Sequence, residues 1–306
     1  MIVSASYRTD IPAFYGDWFL QRLQAKEAWV KNPYGGRPYR VSLAPGDVDG
    51  FVFWTRNLAP FGDAIEAVAA MQRPFFVQYT ITGYPPTLET GVPPTTHGAN
   101  QVAALSKRFG KASVVWRYDP VLFTSLTPPQ WHRSNFAALA RALGSFVDEV
   151  VVSFCTIYRK SARNLAKSAE RHGFVWYDPP LDEKRAFIAE LAAIAADAGL
   201  RLTVCSQSDV LATGAEPAAC IDAARLSILA GRPISARQKG NRPGCLCAES
   251  RDIGGYDTCA HGCAYCYAVG DHDRARTAVR RRDDTAQQLG GQTREPTRNH
   301  ADPPDR

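Results

Sequence analysis

Six short apolar runs, rich in β-branched and aromatic residues, alternate with helical patterns up to about residue 206, and this cadence restricts the fold more than any other feature. The runs are Ile2–Ser6, Phe51–Trp54, Phe75–Tyr79, Ser113–Trp116, Glu149–Phe154 and Arg201–Cys205. Near-continuous apolar stretches of this kind suit strands buried on both faces. Between them lie helical patterns over Phe14–Ala25, Pro60–Met71, Gln101–Phe109, Pro129–Leu143, Ser161–His172 and Glu183–Ala198. In the last of these, Phe187, Leu191, Ile194 and Ala198 recur at three- and four-residue spacing. Short strand–helix connections predict a parallel sheet with right-handed crossovers. The fold class expected is α/β, a (β/α)6-type partial or closed barrel. Residues 27–45, with Asn32-Pro33-Tyr34-Gly35-Gly36, read as a hairpin inserted after the first helix.

The texture changes after residue 206. Gly, Pro and Cys become frequent, and a short helix is predicted over Cys220–Leu229. The organisation expected is a barrel-like domain over 1–206, a cysteine-rich iron–sulfur module packed on it over 207–270, and a polar, disordered tail over 271–306. Hydrophobic content of 45% and aromatic content of 10% supply the core. No apolar run reaches the roughly eighteen residues of a membrane span. The first ten residues lack the basic-then-apolar order of a signal peptide. The expected location is the cytoplasm, with no membrane partner. In that compartment the eight cysteines are expected to be metal ligands, catalytic thiols or core residues rather than disulfides. A net charge of +6 permits an anionic ligand or nucleic acid without demanding either.

Cys259, Cys263 and Cys266 are spaced C-x3-C-x2-C. Ligands this close in sequence lose little loop entropy on closing around one metal centre, and Gly262 lets the backbone turn between the first two. Three thiolates hold a 4Fe–4S cluster and leave one iron free for a small molecule. Zinc is the competitor, and a structural zinc site asks for a fourth protein ligand, from His261 or another cysteine. Cys205, Cys220, Cys245 and Cys247 are candidates for a second cluster or a zinc ion, against the plainer reading that Cys205 and Cys220 are small buried hydrophobes. Cys155 reads as core.

Every predicted strand ends in polar residues, and in such barrels strand ends converge on the rim that carries the active site. The candidates there are Arg8, Asp10, Arg56, Asn57, Arg117, Asp119 and Tyr158. An arginine can clamp a carboxylate or phosphate in two parallel bonds. Asp10 and Asp119 equally suit helix capping. Trp54 and Trp116 can stack on a nucleobase, although tryptophan in an apolar strand is commonly core. The chain has no phosphate-cradling G-x-x-x-x-G-K-[ST] loop, and Ser153 lacks a nucleophile-elbow context.

Five segments carry a family resemblance. They are Ser4-Ala-Ser-Tyr-Arg-Thr-Asp-Ile-Pro12, Val52-Phe-Trp-Thr-Arg-Asn57, Thr82-Gly-Tyr84, Val115-Trp-Arg-Tyr-Asp-Pro120 and the run from Asp252 to Ala268. With them the chain resembles the bacterial domain of unknown function 1848 family, up to about residue 270. The resemblance implies a C-terminal cysteine cluster similar to that of radical S-adenosylmethionine enzymes. The run Cys-x-His-Gly-Cys-x-Tyr-Cys-Tyr-Ala is also similar to enzymes of the spore photoproduct lyase type. By that resemblance Cys259, Cys263 and Cys266 hold a 4Fe–4S cluster whose open iron binds S-adenosylmethionine, with Tyr265 beside the cofactor. Reductive cleavage of the sulfonium then yields a 5′-deoxyadenosyl radical. The pattern departs in two ways: the cysteines follow the strand–helix units, which asks for a permuted barrel, and no Gly-Gly-Glu run meets the cofactor's amino group. Asn57, Thr80 or Thr82 are the expected replacements for that contact.

The leading expectation is an iron–sulfur, radical S-adenosylmethionine-like enzyme acting on a small-molecule or nucleic-acid substrate, with flavodoxin or ferredoxin as electron donor. One alternative is a barrel hydrolase or lyase with structural zinc or iron–sulfur cysteines and a site of Arg8, Asp10, Arg117 and Asp119. The other is a nucleic-acid-binding module.

Overall fold

The computed structural model describes residues 1–290, apart from Tyr34. Twelve strands occur among these residues. In chain order they are β1 Ile2–Ala5, β2 Glu27–Val30, β3 Tyr39–Ser42, β4 Gly50–Thr55, β5 Phe75–Thr80 and β6 Val114–Val121. There follow β7 Phe123–Thr124, β8 Glu149–Phe154, β9 Trp176–Tyr177, β10 Arg201–Val204, β11 Ala215–Pro217 and β12 Ser250–Asp252. The helices are α1 Ile11–Phe14, α2 Gly16–Ala25, α3 Gly62–Ala70, α4 Thr95–Phe109 and α5 Pro129–Leu143. The remaining four are α6 Arg159–His172, α7 Leu181–Asp197, α8 Ala223–Ala230 and α9 His272–Arg280.

The fold is mixed α/β and is built on one parallel sheet of eight strands, in the order β11-β10-β8-β6-β5-β4-β1-β12. Neighbours follow chain order except at one end, where β12 returns to lie beside β1. Against the expected (β/α)6-type partial or closed barrel, the parallel sheet has eight strands, and no ladder joins β11 to β12 among the described residues. Both extra strands are three residues long and include charged positions, Glu216 and Arg251. Edge strands of that length carry no apolar run to announce them.

Region 207–270, expected as a cysteine-rich module packed on the barrel, contributes β11 and β12 to the same sheet. Residues 271–290, expected in a polar tail, carry α9 and then pack on the body of the protein. Trp18 Nε1 donates to Ala286 O at 2.8 Å, Trp29 N donates to Gln287 O at 2.9 Å, and Leu289 is buried. Backbone carbonyls made these contacts, so side-chain composition did not signal them. The rest of that expected tail, 291–306, lies outside the described residues. The inserted hairpin is present as the antiparallel pair β2–β3.

The two faces of the sheet carry different cores. Phe51, Phe53, Val77, Trp116, Val150 and Val152 meet the helices in the larger cluster. The alternate residues Ile2, Val52, Phe76, Val115 and Val151 point the other way, as the two-residue repeat of a strand requires. They pack with Leu226 of α8 and with Cys205, Cys220 and Cys247.

Candidate functional site

The carboxyl ends of the strands hold almost every polar candidate. After β1, Asp10 caps α1 by accepting from Ala13 N at 2.8 Å through Oδ1. Its Oδ2 accepts from Arg56 N at 2.8 Å and lies 2.7 Å from His261 Nε2. His261 Nδ1 lies 3.1 Å from Gly91 O. Both imidazole nitrogens are therefore engaged with protein oxygens, which takes up the two atoms through which the histidine between the first two cysteines of the trio could bind a metal. Arg8 lies 3.7 Å from Asp252. Asp252, at the end of β12, also accepts from the hydroxyls of Ser4 and Ser6 at 2.6 and 2.8 Å. Burial holds its carboxyl above the ordinary range despite those donors.

Cys259, Cys263 and Cys266 lie on one loop that passes over this rim. Gly262, between the first two, has φ +70°, and a Cβ there would lie 2.1 Å from Thr90 Oγ1. Only glycine accepts both conditions. Burial raises all three thiols. Cys263 is pushed up to about 12 against the opposing charge of Arg56. Cys259 is raised well above its usual value, with Asp10 and the other two cysteines adding to burial. Cys266 is raised by burial although the N–H groups of Ala268 and Val269 point at it. The three sulfurs feel one another's charge, yet none hydrogen-bonds another among the described residues.

Beside the loop a buried ion pair joins Arg56 Nη1 to Glu89 Oε1 at 2.9 Å. Thr82 Oγ1 donates to the same carboxylate at 2.7 Å, the Tyr265 hydroxyl donates to it as well, and Arg56 Nη2 donates to that hydroxyl at 2.7 Å. Thr80, Thr82, Arg56 and Glu89 line a cavity of about 310 Å³. Asn57 faces elsewhere: its Oδ1 accepts from Ala59 N and from Gln101 Nε2, fixing a turn. Glu89 escaped the sequence reading because it sits in a proline-rich stretch, Pro85 to Pro94, that has no periodicity.

Arg117 and Asp119 form a second grouping. Their ion pair is extended by Ser153, which donates to Asp119 Oδ1, and by Arg117 Nη1, which lies 3.1 Å from Gln78 Oε1 and 3.1 Å from Cys220 Sγ. Burial alone would raise Asp119; the guanidinium and the Ser153 hydroxyl outweigh it and hold the carboxyl low. Arg8 and Asp10 on one side, and Arg117 and Asp119 on the other, thus have separate partners. Around Cys220 gather Cys205, Cys247 and Cys245. All eight cysteines are free thiols, and Cys155 is buried in the core beside Leu122 and Leu165. No group of three or more His, Cys, Asp or Glu side chains stands in ready ligating geometry among the described residues. Trp116 is wholly buried, as the core reading of it required.

A larger cavity of about 640 Å³ lies behind the cysteine loop, walled by Gly262 and Ala264 and by α6 and α9. Six cationic side chains line it against three aspartates.

Fold and rim together define an α/β protein with a parallel eight-stranded sheet whose strand ends are lined by arginines, carboxylates and two groups of cysteines. The chain belongs to the family described as domain of unknown function (DUF1848), whose model matches residues 2–268. No curated protein matches it. No helix among the described residues is long and apolar enough to cross a membrane.

Proposed function

We propose that the chain is a radical S-adenosylmethionine-type enzyme, with a 4Fe–4S cluster held by Cys259, Cys263 and Cys266. One observation carries the reading: the thiols of Cys259, Cys263 and Cys266, buried or partly buried on one loop, lie close enough to feel one another's charge, and a cavity lined by Arg56, Glu89, Thr80 and Thr82 lies beside that loop. Three thiols that would repel one another as thiolates, opposed mainly by Arg56, suit a cationic metal centre that takes their protons' place. His261, the obvious fourth zinc ligand, is committed to Asp10 and Gly91. When bound, the cluster supplies the electron that cleaves the sulfonium and generates a 5′-deoxyadenosyl radical. The protein's own residues position and shield. Asp10 and His261 clamp the cysteine loop to the rim. Arg56, Glu89 and Tyr265 close its side, and Thr80 and Thr82 offer hydroxyls to a ligand in the cavity of about 310 Å³.

Anaerobic reconstitution tests this. About four irons with matching sulfide, and 5′-deoxyadenosine released under dithionite, are expected. Cys263→Ala should lose that iron while the circular dichroism of the sheet persists. A chain that takes zinc alone into the trio, or holds a cluster that never cleaves the cofactor, refutes the reading.

A second reading, binding of nucleic acid or another polyanion, is favoured by the cationic lining of the cavity of about 640 Å³, where Lys160, Arg163, Lys167, Arg171, Arg274 and Arg276 converge. Oligonucleotide affinity that falls steeply with salt is its expected signature; a flat or absent response removes it.

A further inference from the structure

We infer that Cys205, Cys220, Cys245 and Cys247 form a closed tetrathiolate site for one divalent ion of the zinc type, placed at the seam between the two edges of the sheet.

The four thiols come from both edges. Cys205 directly follows β10 and Cys220 lies just beyond β11, at one edge; Cys245 and Cys247 lie on the segment that leads into β12, at the other. No strand ladder joins those edges among the described residues. What joins them is this cluster and its backbone, where Ala248 N donates to Ile221 O at 2.9 Å and Ile221 N donates to Cys247 Sγ at 3.3 Å. A metal here ties together two chain segments that the sheet's own hydrogen bonds leave unpaired.

The sulfurs form one contiguous group. Cys205 and Cys220 are 3.2 Å apart, Cys220 is in hydrogen-bond contact with Cys247, and Cys247 with Cys245. Cys205, Cys220 and Cys247 are each less than one tenth exposed. Gly240 makes room for the fourth: a Cβ there would lie 2.5 Å from Cys245 Cβ.

Hydrogen-bond donors are aimed at three of the four sulfurs. Arg117 Nη1 donates to Cys220 Sγ at 3.1 Å, Arg242 Nη2 donates to Cys205 Sγ at 3.5 Å, and a backbone N–H reaches Cys247. A divalent ion with four thiolates carries two net negative charges, which Arg242 and Arg117, the latter shared with Asp119, offset in part. On ion entry the thiol protons leave to solvent and four sulfur–metal bonds replace the sulfur–sulfur contacts, with no change of oxidation state.

Spacing selects the occupant. Zinc–sulfur bonds of about 2.3 Å put tetrahedral sulfurs about 3.8 Å apart, so the 3.2 Å pair needs to open only slightly. An iron–sulfur cube holds its thiolates much wider. The Cys259, Cys263 and Cys266 sulfurs, which do not touch, leave that room, and the four discussed here do not. The inference is independent of the reading of that trio.

The test uses the full chain purified with and without added zinc. Metal analysis should find about one zinc per chain, and cobalt replacement should give the sulfur-to-metal charge-transfer bands of tetrahedral four-thiolate coordination. Cys245→Ser, a near-isosteric change at a partly exposed position, should lose most of the zinc and change that spectrum. Cys263→Ala should keep both, whatever happens to iron in the trio. Absence of zinc and cobalt from the wild-type chain, retention of full zinc by Cys245→Ser, iron and sulfide at this site, or a Cys205–Cys220 disulfide in the mass spectrum would each overturn the assignment.

Discussion

Arg56 and Glu89 face each other at side-chain exposures of 10% and 2%, so each is costly to leave alone. Glu89→Gln is expected to destabilise the protein by about 3–5 kcal/mol in urea titrations, because it strands a buried guanidinium. Replacing both with apolar residues should recover most of that loss. If the double variant is no better than the single one, the pair matters through something other than charge. Gly262 makes a second residue-scale case. Gly262→Ala combines a positive φ with a Cβ placed on Thr90 Oγ1, and is expected to cost about 1–2 kcal/mol and to loosen the cysteine loop. Faster proteolysis between Thr258 and Ala268 would report it; an unchanged cleavage pattern would count against it.

His132 links a residue to its elements. It sits wholly buried on α5, with Nδ1 2.7 Å from the Tyr118 hydroxyl and Nε2 3.0 Å from Leu122 O. Burial pushes it down to about 4 from an ordinary 6.5. The unfolded chain therefore takes up a proton before the folded one does, and stability that is full above about pH 6.5 falls as the pH drops toward 4. The loss from this group is about 3 kcal/mol, and His132→Gln, which cannot titrate, should flatten that limb of the pH profile. At this same scale most of the fold was legible. β8 and α5 were bounded correctly from their apolar runs, and the hairpin of β2 and β3 was placed within residues 27–45 by the turn residues between its strands. β11, β12 and α9 were not, because the first two are too short to show a period and α9 is polar, with Ala275 its one buried residue. The candidate site was legible where its cysteines cluster in sequence. The trio and Gly262 were visible as a run, whereas the Glu89 contact to Arg56 and Tyr265 arises only when distant loops meet. Ending the chain after Asp284 is expected to lower the melting temperature and shift tryptophan fluorescence to the red, since Trp18 loses its Ala286 acceptor.

Across the whole molecule, the inner face of the sheet is closed by α8, whose Leu226 is fully buried among residues from five strands. Leu226→Ala is expected to cost about 2–5 kcal/mol, and more than truncation to alanine at exposed Ile228, two residues on and on the opposite face of the helix. Equal losses would mean that α8 is not the plug of that face. The sheet's order has a further consequence for how the chain is made. Ser4 hydrogen-bonds Asp252 across 248 positions of sequence, and β1 cannot gain its second neighbour until β12 exists. Such non-local closure slows folding. A chain emerging from the ribosome therefore carries an open sheet edge at β1 until β12 has emerged. Its arginine- and cysteine-lined rim comes together only after the segment from Ser250 to Cys266 has emerged.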